Sequence, residues 1–154
     1  MESELPRSRG PLPPVYFLGA LVLQGVLHKW LPLVHGLSWP WRWSGVLFIV
    51  AGVALALTAN RQFSTLGTTH KPFQTSTALA TGGMYRFTRN PMYTGMILVL
   101  SGDALLYGSL TPWIIIPPYM FLITSLFIRK EEAGLSLQFG EDYDDYRRNV
   151  RRWL

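Results

Sequence analysis

The chain has 154 residues, 49% hydrophobic, 14% aromatic and only 15% charged, with a net charge of +5. A mean hydropathy of +0.18 at this length points away from a water-soluble domain and towards a membrane protein. The absence of cysteine excludes disulfides, thiolate metal sites and a thiol nucleophile, and the basic excess needs no nucleic acid, since positive-inside topology and anionic lipid account for it.

Residues 1–14 are polar and proline-rich and read as a flexible tail. Arg7 and Arg9 precede the first apolar block, Val15 to Leu31, as they would in a secretory signal. No small-residue cleavage site follows and further apolar blocks do, so the block reads as a retained span ending in His28 and Lys29 at the interface. The next connection carries Trp39, Trp41 and Trp43, suited to the membrane–water boundary. A second span runs from Trp43 to Ala59 without a charge, and its Gly45, Gly52, Ala56 and Ala59 lie on one helical face that another helix can approach closely.

Two more blocks, Met92 to Leu110 and Trp113 to Ile128, are separated by Ser109 to Pro112 and read as a helical hairpin. Pro117 and Pro118 should kink the second of these. Asp103, within the third span, needs a partner in the bundle; Gln24 or Tyr107 could serve, with a substrate role as the alternative.

The expectation is an all-α integral membrane bundle of four transmembrane helices, about 15–31, 43–59, 92–110 and 113–128, forming a single domain over 1–154. Twelve of the 14 basic residues fall outside the Lys29–Arg42 side, which puts both termini and the 60–91 connection in the cytoplasm. In the 129–154 segment, Leu135, Phe139, Tyr143, Tyr146 and Val150 recur at helical spacing, giving a cytoplasmic amphipathic tail that Gly140 divides into two helices. The histidines, 28, 35 and 70, form no ligand cluster, and no metal site is expected.

Polar chemistry gathers at two places. In GGMYRFTRNPMYTG, Gly82 to Gly95, Pro91 opens the third span, where first-turn N–H groups are free to meet an anion. Arg86 and Arg89 strengthen that attraction, and Tyr85 and Tyr93 add ring faces and hydroxyls. The second place is Glu131–Glu132, directly after the last span. Adjacent helical residues point about 100° apart, so one glutamate can face the mouth of the bundle while the other pairs with Arg129, Lys130 or a tail arginine.

These two motifs, their order and the hairpin between them resemble the isoprenylcysteine carboxyl methyltransferase family and, more distantly, the phospholipid N-methyltransferases. The resemblance covers about Thr68 to Leu154; the first two spans match only in character. It implies a membrane enzyme that uses S-adenosylmethionine as cofactor and methylates a lipophilic or small-molecule acceptor; the positive-inside charge pattern separately favours a bacterial-type inner membrane. By matching position, the resemblance implies cofactor contacts from His70, Thr77, Ala78, Leu79, Ala80 and Tyr85. It extends them through Asn90, Pro91, Met92 and Tyr93 to Glu131; Arg89 and Glu132 are cofactor candidates beside these, and Arg148 or Arg151 would close the tail over the cofactor. Arg129 and Asn90 are its catalytic candidates. Asn90 replaces the family's histidine and cannot titrate near neutrality, and Phe127 replaces its substrate-contacting arginine, so recognition of a prenylcysteine carboxylate is not implied. The rival readings are a nicotinamide-dependent membrane reductase and a scaffold that binds anionic lipid.

Overall fold

The computed structural model describes residues 11–31, 33, 39–65 and 79–154, and within them every regular element is helical. Helix α1 spans Pro13–Trp30, a short α2 Trp39–Arg42, and α3 Ser44–Thr65. A 3₁₀ turn at Gly83–Arg86 leads into α4, Pro91–Tyr107. Gly108, at φ 68°, ends α4 in the left-handed conformation that glycine tolerates. The last long helix changes pitch three times: 3₁₀ over Thr111–Ile115, α5 over Ile116–Ile123, a π turn over Thr124–Ile128, and α6 over Arg129–Phe139. After Gly140, at φ 52°, α7 runs Glu141–Asn149.

Two helical stretches, Trp39–Gln62 and Thr111–Phe139, are long and apolar enough to cross a membrane. In the first, only 17% of the apolar window is buried within the protein, the reverse of a soluble core helix. Val22 on α1, Leu47 on α3 and Phe121 on α5 are likewise exposed, a distribution that calls for apolar surroundings. The three tryptophans 39, 41 and 43 are also exposed, beside the apolar window as an interfacial belt requires.

Helix α3 extends past the apolar block that ends at Ala59, because hydropathy marks the width of hydrocarbon and not the length of a helix. The added turn has a use: Gln62 Nε2 donates to the Gly82 carbonyl at 2.7 Å, fixing the turn that precedes α4. The two prolines differ from expectation. They lie in the first turn of α5, where their missing N–H groups interrupt nothing, and the main irregularity is the downstream π turn.

Helices α3 and α4 pack antiparallel on a double glycine contact. A Cβ placed on Gly52 would stand 2.5 Å from the Gly95 carbonyl oxygen, and one on Gly95 would stand 2.5 Å from that of Gly52. Seven residues along each helix, Gly45 and Gly102 repeat the arrangement. Such contact lets the backbones touch and fixes the height of Pro91 against α3. The other face of α4 meets α1 and α5 in a core that includes Ala20, Leu100, Tyr119, Ile123 and Phe127. Gln24 pins that junction by donating to the carbonyls of Leu100 at 3.2 Å and Pro112 at 3.0 Å. Its amide is therefore not the partner of Asp103, whose Oδ2 is buried without a hydrogen bond.

Candidate functional site

The segment entering α4 is held by side chains that the TRNP sequence supplies locally. Asn90 stands at the cap position but does not cap its own helix. Its N–H donates to Thr88 Oγ1 at 3.2 Å, and its carbonyl accepts from the Thr94 N–H and hydroxyl at 2.9 and 3.0 Å. The amide Nδ2 reaches outward to the Arg152 carbonyl at 3.2 Å, where Thr88 Oγ1 also donates at 2.9 Å. Arg89 N–H donates to the Arg151 carbonyl at 2.9 Å. Residues Val150 to Leu154 thus lie against the opening of α4, and Trp153 packs on the main core.

The adjacent glutamates diverge as helical geometry requires. Glu131 Oε1 accepts from the Tyr93 hydroxyl at 2.8 Å, joining α6 to the first turn of α4. Glu132 is buried and takes a bidentate bond from Arg152: Nη2 to Oε2 at 2.6 Å, Nε to Oε1 at 3.0 Å. Arg89 Nη2 approaches the same carboxylate at 3.4 Å from a side chain only 9% exposed. The bond to Glu132 holds the Arg152 guanidinium pKa above its ordinary value. Arg89 Nε and Nη1 are buried with no hydrogen-bond partner; the guanidinium lies between Glu132 and the Tyr143 hydroxyl, whose pKa it acts to lower against the larger effect of burial.

A second small core forms the opposite wall from Ala59, Ala80 and Tyr85, with Met92 and Tyr146 against it. Leu79 is partly buried there. The Tyr146 hydroxyl donates to the Tyr85 carbonyl at 2.7 Å, which ties α7 to the 3₁₀ turn. Burial, then the neighbouring Tyr146 and Glu131, raise the Tyr85 phenol well above its ordinary pKa of 10.0. Burial raises Tyr146 in the same way. Both phenols stay neutral and keep their protons for donation.

The structure brings together Ala80, Tyr85, Arg89, Asn90, Pro91, Met92, Tyr93, Glu131 and Glu132 around the opening of α4. His70, Thr77 and Ala78 lie outside the described residues. Arg129 is exposed at the start of α6. Arg148 sits on the exposed face of α7, paired with Asp145, and the arginine that reaches the motif is Arg152. Sequence reasoning does not single out Thr88, Tyr146 or Arg152. Thr88 stands inside the motif, but Arg152 is one of four similar arginines in a basic run, and spacing alone does not separate them.

A family model described as phospholipid methyltransferase matches residues 41–142, more than half of the chain and both motifs. An uncharacterized protein of Haemophilus influenzae is 33% identical over 63 residues, 41% of this chain and 100% of the relative. Protein-S-isoprenylcysteine O-methyltransferase of Schizosaccharomyces pombe is 32% identical over 72 residues, 47% of this chain. The match spans only 30% of that enzyme's length. With the match running over more than half of the chain and through both motifs, the chain belongs to the phospholipid methyltransferase family.

Proposed function

We propose that this protein transfers the methyl group of S-adenosylmethionine to a lipid-like or small lipophilic acceptor at the membrane. The observation that carries the reading is the Tyr93–Glu131 bond, which sets a carboxyl group against the first turn of α4; beside the neighbouring Glu132, the Arg89 guanidinium has two nitrogens without a hydrogen-bond partner. These groups fit the cofactor's chemistry. Arg89 and the first turn of α4 would take its carboxylate, and Glu131, with acceptor capacity beyond Tyr93, would take hydroxyls. When bound, the cofactor supplies an electrophilic methyl group on a sulfonium centre. The rings of Tyr85 and Tyr93 favour a cation near them, and Ala80 and Met92 pack beside Tyr85 in the small apolar core. Asn90 orients the α4 opening through its bonds to Thr88, Thr94 and Arg152, and as a neutral amide it takes up no proton. Arg129, exposed beside the glutamates, offers a cation to an acceptor headgroup. His70, Thr77 and Ala78 would complete the cofactor's binding segment.

In this reading α1, α3, α4 and the Thr111–Ile128 helix form four spans, with the Arg89–Glu132 end in the cytoplasm of a bacterial-type inner membrane. The charge distribution supports that orientation. Reconstituted protein given methyl-labelled S-adenosylmethionine and total lipid extract is expected to place label in an organic-soluble product. Label that stays wholly in the aqueous phase overturns the lipid-acceptor reading.

A further inference from the structure

Glu132 has two cationic neighbours, and they are not equivalent. Arg152 makes the close bidentate bonds, while Arg89 approaches only through Nη2 at 3.4 Å and keeps Nε and Nη1 unbonded. A buried carboxylate takes whatever cation is at hand, because leaving it unpaired in a low-dielectric site is costly. If the Arg152 guanidinium were absent, Arg89 would have to neutralise Glu132 alone. The carbonyl of Arg152 receives both Thr88 and Asn90, so its side chain and backbone bridge the two motifs.

We infer that Arg152 is a positioning residue: by satisfying Glu132 it leaves the unbonded Arg89 nitrogens to bind the carboxylate of a ligand that carries a free amino acid group. This rests on the cofactor reading above and adds a residue to it. The side chain touches neither the ligand nor the reacting atoms; it decides which anion Arg89 serves.

The test compares two probes on the full chain in detergent. S-adenosylhomocysteine carries the carboxylate, and methylthioadenosine lacks it. In wild type the first binds more tightly. Arg152→Gln is expected to weaken S-adenosylhomocysteine about tenfold or more and methylthioadenosine less than about threefold, shrinking the preference between them. The double variant Glu132→Gln/Arg152→Gln removes the competing carboxylate and restores that preference, which loss of structure alone cannot do. Should Arg152→Gln fail to fold, Arg152→Lys, which keeps the charge without the fork, carries the comparison and shows a smaller loss of preference. Equal weakening of both probes, or a double variant no better than the single, overturns the role of Arg152 and leaves the cofactor reading standing. A folded wild type that binds neither probe overturns both.

Discussion

The Tyr93 hydroxyl donates to Glu131 across 2.8 Å, and in doing so joins two motifs 38 residues apart in sequence. One lies at the start of α4 and the other just past the apolar part of the last helix, so the bond closes the hairpin between them. Tyr93→Phe removes the donor and leaves the ring. We expect a loss of about 1 kcal/mol of S-adenosylhomocysteine binding, the scale of one hydrogen bond, with the helical circular dichroism unchanged. Calorimetry checks it; unchanged affinity would mean the bond is only structural.

Packing of α3 on α4 predicts a contrast between glycines. Gly52→Leu forces a side chain into the Gly95 backbone and should cost more than the roughly 1–3 kcal/mol of ordinary overpacking. At Gly19 an added Cβ would meet nothing within 4 Å, so this position should accept alanine and gain up to about 1 kcal/mol of helix propensity. Thermal unfolding in detergent orders the two variants, and a Gly52→Leu protein as stable as wild type would show the close contact to be wrong.

Glu132 is buried between Arg89 and Arg152. Replacing it with glutamine leaves two guanidinium groups without their counter-ion, and we expect a loss on the order of 3 kcal/mol. Loosening should be local, so hydrogen exchange is expected to rise first at Arg89 and Asn90, whose neighbouring strap is tied through Arg152. Uniform exchange across all helices would argue against a local tie.

The Tyr85 phenol has a pKa raised in the folded state above its ordinary 10.0. A raised value contributes stability that is present below about pH 10 and is lost as pH climbs towards the folded-state value, because the unfolded phenol ionises first. Wild type should therefore lose stability on alkaline titration more steeply than Tyr85→Phe. Parallel curves for the two proteins would place Tyr85 in water.

Much of this is legible in the sequence. The apolar blocks coincide with the long helices among the described residues, and Gly45 and Gly52 announce a close helix contact; Gly95 and Gly102, spaced identically on α4, hold the matching half of that signal. The divergence of Glu131 and Glu132 follows from helical geometry. What escapes is tertiary. Hydropathy cannot show that α3 continues to reach Gly82, since polar residues extend a helix as readily as they end one. The choice of Arg152 over Arg148 depends on where the chain lies after α7 ends at Asn149, which spacing does not encode. Composition offers Gln24 to Asp103 as a partner, yet Gln24 is spent on two backbone carbonyls that only the folded hairpin presents.

The central claim is that the two motifs form one cofactor cradle, and the most direct measurement is calorimetric binding of S-adenosylhomocysteine to the full chain in mild detergent, with Glu131→Ala beside it. The account predicts saturable binding by wild type and its loss in the variant at unchanged helical content. Equal affinity in the two proteins, or no binding by a folded wild type, would contradict it.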